Sequence, residues 1–493
     1  MISRNTLYAL FLPLAVFLSC ADFDADPLIE PFGTRSFWAI DVTYYPAKPY
    51  QTQAIFAGET EHAKAYVEID SGVTAEDIQP ILEEFENNIR AKMAPYFGEP
   101  LDISGDNKVT LLFLDIKDGF DNNGSYLAGY FLPWNVFSDE EVYEYSIMAG
   151  EEKRSNELEM IYIDTNPLDI TTIDAYATLA HEYQHLLNFS QDYKEFENTG
   201  VIIEEEVWVN EGLSEIAPDV VGYGPQNDRL FYFDYTDIDS LVTWKGDLID
   251  YANVYVFFRY LYDVFGAQIF YNITMGFQTK GIPGVNSAII DHDTAGEVLP
   301  NCGDVRHFQY PYFDCVYRYL YTSIYQNEYG ISASLDIESN ATTSTTALNM
   351  TPLLPKFEFS QNNNAYFWVP PVDVMPGTIT LEPYTMKIFG KISGSTPTMT
   401  GLNFTQLYNT ANTEFMFYNH DASEYAISST GTINAALSAI SPLRDMKNKQ
   451  KKPKQFNNKP QKGGRGAFQL GDNFKKHLEN RWKEKNKNKE KKK

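Results

Sequence analysis

Residues 176–190 read YATLAHEYQHLLNFS. On an α-helix, side chains four residues apart lie one turn above each other on the same face. His181 and His185 would therefore present two imidazoles to one point, with Glu182 beside them. This is the spacing by which a helix offers a metal ion two nitrogen ligands and places a carboxylate to take a proton from water. Two histidines on one helix face also serve in ordinary cores, so the reading needs a third ligand. Catalytic zinc takes three protein ligands and keeps one position open. A third histidine six residues beyond His185 is not there, since Gln191 holds that place. WVNEGLSE follows at 208–215, on a further predicted helix stopped at Pro218. Glu211 would complete a set of two histidines and one glutamate, preceded by Asn210. Glu215 lies one turn further on the same face, where it would accept the free N–H of a ligating histidine and orient its ring.

Outward from this centre, SFWAIDVTYY (36–45) and HAKAYVEID (62–70) alternate apolar and polar residues and predict strands. KVTLLFLDI (108–116), SYLAGYF (125–131) and MIYIDTNP (160–167) predict three more. Residues 74–98 begin with a capping Thr74, carry acidic residues in the first turn and keep apolar residues at helical spacing, so they predict a helix. DYANVYVFFRYLYDVFG (250–266) predicts another, apolar on most sides and hence buried. The expected class is α+β, with an N-terminal mixed sheet and a mostly helical lobe over 37–338. A Thr/Ser/Asn-rich linker follows from about 339, then a small all-β domain over 353–440 and a disordered basic tail over 441–493.

HEYQHLLNF together with WVNEGLSE resembles the gluzincin metallopeptidases and, within them, the hyicolysin-type secreted bacterial peptidases. The likeness extends over about 37–330 through LLFLDI, GYF and MIYIDTNP before the motif and YANVYVFFRYLYDVFG after it. It implies a zinc endopeptidase holding one Zn2+ per chain through His181, His185 and Glu211, with Glu182 as general base and protein or peptide as substrate. Glu215 matches the acidic residue that follows the third ligand, and joins Asn210 as support for the ligands. In related aminopeptidases a tyrosine opens the helix after the third ligand, which nominates Tyr251 as the oxyanion donor, with Tyr255, His292 and His307 behind it. Ala128, Gly129 and Tyr130 resemble the edge strand that pairs with substrate backbone; a core strand is the equal alternative. The resemblance says nothing of the β region or the tail. A gluzincin aminopeptidase is disfavoured, since no GxMEN-like motif is visible. The rival from another class is a surface-binding lipoprotein with an inactive or latent peptidase fold, against which the intact Glu182 and ligand set stand.

Charge divides the chain. Residues 444–493 carry 19 Lys+Arg and 5 Asp+Glu, a net of +14, which leaves 20 and 62, a net of −42, for residues 1–443. No specific nucleic-acid recognition is expected of so acidic a body. In the tail, Phe474, Leu478 and Trp482 fall four apart among cations, the pattern of an amphipathic helix on an anionic membrane surface or polyanion; a solvated charged tail is the alternative. At the N-terminus, Arg4 precedes an apolar run from Leu7 to Leu18, which predicts an export signal over 1–19 and a tether over 20–36. FLSC resembles a lipobox, with Cys20 as the lipidated residue of a cell-surface or outer-membrane lipoprotein; the alternatives are ordinary cleavage after Ala21 and secretion, or an uncleaved anchor. Outside the cytoplasm, Cys302 and Cys315 could close a disulfide or remain two thiols. DISGDNK (102–108) resembles a small Ca2+ loop, although Asp/Gly/Asn turns of this kind are common.

Overall fold

The computed structural model describes residues 33–120, 126–226, 229, 240–276, 279–292 and 468–490, and the backbone of six strands between 377 and 435. The predicted helix at 74–98 starts as its sequence dictates. Thr74 Oγ1 accepts from Asp77 N–H while the Asp77 carboxylate accepts from Thr74 N–H at 2.9 Å, a reciprocal cap. The run continues as α1 (Ala75–Glu84), a π-turn (Phe85–Arg90) and α2 (Ala91–Phe97).

A six-stranded sheet carries this helical run. Its strands are β1 (Thr34–Asp41), β2 (Lys48–Glu59), β3 (Ala63–Glu68), β4 (Val109–Leu114), β5 (Gly129–Phe131) and β6 (Met160–Asp164), in spatial order β1-β2-β3-β4-β6-β5. β3, β4 and β6 run parallel, while β5 closes the edge antiparallel to β6, with Tyr130 opposite Tyr162. The sheet is therefore mixed. β4 and β6 are buried at every residue, as strands covered on both faces must be.

The helical lobe comprises α3 (Asp139–Met148), α4 (Ile173–Thr199), α5 (Val207–Val221), α6 (Leu248–Phe265), α7 (Gln268–Thr274) and α8 (Gly281–His292). α4 packs on β5 and β6, α5 packs on α4, and α6 packs on α5. The last contact needs a residue without a side chain. A Cβ on Gly212 would lie 2.2 Å from the Phe258 ring, so the glycine after Glu211 is what lets α6 approach. Between 377 and 435 lie two three-stranded antiparallel sheets. β8 (Thr385–Gly390), β10 (Phe404–Asn409) and β11 (Glu414–Asn419) form one; β7 (Gly377–Leu381), β9 (Thr398–Thr400) and β12 (Gly431–Ala435) form the other. Among the described residues, no helix is long and apolar enough to cross a membrane.

The tail departs from its expectation. Asp472–Glu490 form a helix, α9, where the tail as a whole was expected to be disordered; it is the helix that the spacing of Phe474, Leu478 and Trp482 offered. Phe474 and Leu478 are buried against the body rather than presented to lipid or polyanion. Phe474 meets Phe137 edge-on at 5.0 Å, and Phe468, just ahead of the helix, meets Trp134 at 5.8 Å. The physical reason is competition: burying each such side chain is worth about 1.5–3 kcal/mol, and an aromatic groove on the same chain supplies the partner.

Candidate metal centre

α4 and α5 place the motif side chains against each other. His181, His185 and Glu211 are all buried, and one ligand atom from each lies within 4.8 Å of the others. His181 Nε2 and His185 Nε2 are 3.2 Å apart; Glu211 Oε2 is 3.6 Å from the first and 3.7 Å from the second. Ligands on a tetrahedral ion with bonds of about 2.0–2.1 Å stand about 3.3 Å apart. The triangle fits a zinc-sized ion.

The supporting contacts make the histidines suitable ligands. His185 Nδ1 lies 3.1 Å from Asn210 Oδ1, so an N–H there donates to the amide and leaves the Nε2 lone pair facing His181 and Glu211. Ser214 Oγ is 3.0 Å from the same Nδ1 and donates to Gln184 Oε1. His181 Nδ1 lies 3.7 Å from Glu215 Oε1, beyond hydrogen-bond reach but close enough for charge to act. Both Glu215 oxygens are instead taken by Arg229, at 2.8 Å from Nε and 2.7 Å from Nη2. Sequence reasoning did not find Arg229 or Ser214. Ser214 stands four residues after Asn210 on the same helix face, a signal that was available. Arg229 stands in no pattern that singles it out.

Electrostatics favour a cation. Glu182, Glu211 and Glu215 are three buried carboxylates set against the Arg229 guanidinium. Burial pushes Glu182 up to about 8, opposed by the His181 charge and reinforced by Glu211 and Glu215. Burial works to lower His181, but the Glu211 carboxylate 3.6 Å away and the charges of Glu182 and Glu215 leave it at about 9. Burial lowers His185 to about 4.

Glu182 faces the edge strand. A Cβ on Gly129 would lie 3.0 Å from Glu182 Cγ, 3.1 Å from Thr178 Cγ2 and 2.8 Å from the Tyr162 carbonyl oxygen. Gly129 thus borders the cluster, whereas the Tyr130 ring stacks on Tyr162 at 4.3 Å. Tyr251, in the first turn of α6, lies under the Arg229 guanidinium (5.2 Å) and edge-on to Trp244 (4.9 Å). Burial raises its hydroxyl well above the usual tyrosine value, followed by the charges of Glu211 and Glu215.

The other candidates lie elsewhere. Tyr255 donates to Asp219 Oδ2 at 2.9 Å and accepts from Gln226 N–H, inside a buried group that includes Arg259. His292 packs edge-on to Phe265 in the last turn of α8. Asp102 and Asp106 gather with Glu159, but Lys64 Nζ pairs with Asp106 at 2.6 Å and the backbone N–H groups of Asn107 and Lys108 occupy Asp102 and Asp106. Donors already present satisfy that turn. Cys20, Cys302, Cys315 and His307 lie outside the described residues.

No family model matches the chain. The neutral metalloprotease ShpI of Staphylococcus hyicus is 34% identical to it over 206 residues, covering 39% of this chain and 43% of that protein. The likeness is to a metallopeptidase. The chain spans less than half the length of this relative.

Proposed function

We propose that the protein is an exported, zinc-dependent endopeptidase. The observation that carries this reading is the triangle of His181 Nε2, His185 Nε2 and Glu211 Oε2, at 3.2–3.7 Å, beside Glu182 on the same helix. Likeness to a neutral metalloprotease supports the reaction class, and the apolar run at 7–18 supports export. Zinc held by the three ligands would supply Lewis acidity, polarising a carbonyl and easing deprotonation of water.

The chain's own groups do the rest. An extended substrate pairs its backbone with β5 at Ala128–Tyr130, which brings a peptide carbonyl beside Glu182. The Glu182 carboxylate takes a proton from the attacking water and returns it to the leaving amide nitrogen, so that C–O bond formation and C–N cleavage leave no net charge on the products. The Tyr251 hydroxyl, held protonated by burial, donates to the oxyanion as it develops. Asn210 and Ser214 hold the His185 ring, and Glu215 acts on His181.

The test is zinc content and casein cleavage of the protein beside Glu182→Gln. Both should hold about one zinc, and the variant should lose at least ~100-fold in kcat. Zinc in both with equal cleavage would remove Glu182 from the reaction. Absence of zinc from both would sink the metal centre.

A further inference from the structure

The connection between α4 and α5 is the short segment 200–206, which has no regular secondary structure. It joins the helix bearing His181 and His185 to the helix bearing Glu211, so its shape sets how the ligands meet. Backbone groups in such a segment need partners. For the Glu205 carbonyl the partner comes from the far end of the chain, which also reaches the last turn of α4 and the Glu204 side chain.

Gly200 ends α4 with φ +75°, and a Cβ there would lie 2.3 Å from the Trp482 ring. Trp482 Nε1 donates to the Glu197 carbonyl at 2.9 Å, satisfying one of the acceptors left open in the last turn of α4. Leu470 N–H donates to Glu204 at 3.0 Å, Lys475 Nζ pairs with the same carboxylate at 2.7 Å, and Gln469 Nε2 donates to the Glu205 carbonyl at 2.8 Å. Glu205 in turn accepts from Gly281 N–H at 2.7 Å, and Glu206 opens α5 five residues before Glu211. Further along α9, His477 and Arg481 meet the two oxygens of Glu141. Lys476, Lys483 and Lys485 of the same helix are exposed.

We propose that α9 with its lead-in 468–471 is an internal clamp on the α4–α5 connection, so that its docking and metal binding by His181, His185 and Glu211 strengthen each other. The coupling rests on the metal-centre reading above; the docking does not. Two ligands that favour one arrangement of a shared segment must help each other equally. Here one ligand is the metal and the other is the chain's own helix.

The experiment compares the full chain with Phe474→Ser, Trp482→Ala and the exposed control Lys483→Ser. Hydrogen exchange is followed at 200–206 and 472–487, and zinc affinity is read by competition with a chelating dye. Phe474→Ser and Trp482→Ala should deprotect α9 and the connection and weaken zinc about tenfold, while Lys483→Ser changes neither. Stripping zinc from the unaltered chain should in turn speed exchange in α9. Deprotection of α9 with unchanged zinc affinity overturns the coupling. Fast exchange at 472–487 in the unaltered, zinc-loaded chain overturns the docking. Should a variant fail to fold, Glu204→Gln removes the ion pair alone, and a zinc affinity that follows its α9 exchange decides the same question. A chain that binds no zinc overturns the metal centre and with it the coupling, while α9 exchange still reports on the docking by itself.

Discussion

Arg229 takes both oxygens of Glu215, whose side chain is fully buried 3.7 Å from His181 Nδ1. Removing the guanidinium leaves an uncompensated carboxylate inside the protein, which typically costs about 3–5 kcal/mol. Glu215 would then be free to move toward His181, which disturbs the ring that should present Nε2 to the proposed metal. Arg229→Met should weaken zinc about 10–100-fold, measured by chelator competition, as losses of ligand-orienting partners do. Unchanged zinc affinity in a folded variant would make the ion pair purely structural. A second residue gives a pH dependence. Burial pushes Asp164 up to about 8, whereas an unfolded aspartate titrates near 4. The folded chain therefore binds the extra proton between those values, and its stability falls as pH rises through the window. The contribution is complete below about pH 4 and lost above about pH 8. Asp164→Asn keeps an acceptor for Ile116 N–H (3.0 Å) and removes the titration. Buried Asp192 and Glu205, also raised by burial, add slope of the same sign, so the test is a difference. Urea midpoints of the variant should fall less from pH 5 to pH 8 than those of the parent. An equal fall would show that Asp164 is ionised throughout.

The edge strand is only Gly129–Phe131, yet it borders Glu182 more closely than any side chain would allow. Gly129→Ala would drive a methyl group into the Tyr162 carbonyl and the Glu182 side chain, shifting the carboxylate by a few tenths of an ångström. Misplacement of this kind costs about 10–100-fold in kcat. Because the proposed ligands come from α4 and α5, zinc content should remain at the parent level; its loss would mean that the strand also shapes the proposed metal centre. At this scale the sequence was unevenly legible. The helix at 74–98 was plain because its cap and its apolar spacing agree, and β4 and β6 because continuous apolar runs announce fully buried strands. β2 was missed because only Thr52 and Ala54 of its twelve residues are buried, so no alternation marks it. α3 was missed for a similar reason, with Val142 and Ser146 alone buried. That His181, His185 and Glu211 would gather could be read because a helix puts fixed spacings on one face. Arg229 reaches Glu215 through tertiary folding, which leaves no mark at fixed spacing. In the tail, the apolar spacing at 474, 478 and 482 was read correctly as a helix face, but its partner could not be read, since lipid and an aromatic groove ask for the same pattern.

Across the whole molecule, a body of net −42 carries a C-terminal stretch of net +14. Exposed ion pairs such as Arg481 with Glu141 contribute about 0–1 kcal/mol and are screened by salt. Charge therefore steers the two parts together, and the buried Phe474 and Leu478 hold them. The same reasoning applies more strongly inside the metal centre. Glu182, Glu211 and Glu215 lie close together, and a divalent cation relieves their repulsion while binding only the folded chain. A ligand held at 100–1,000 times its Kd stabilises by about 2.7–4.1 kcal/mol. For a body of this size each kcal/mol moves the melting temperature by about 2–4 °C. Calorimetry should therefore show a fall of roughly 5–15 °C when the metal is removed by 1,10-phenanthroline, whose nitrogen donors prefer zinc to calcium. Returning Ca2+ to the stripped chain should recover little of this fall, because Lys64 and backbone N–H groups already satisfy the Asp102–Lys108 turn, whereas returning zinc should recover it. Glu211→Gln should begin near the metal-free value and respond neither to the chelator nor to either ion. Recovery by Ca2+ rather than zinc would move the stabilising ion out of the histidine cluster and into an oxygen-rich site, and the reading of α4 and α5 as the metal-bearing pair would lose its thermodynamic support.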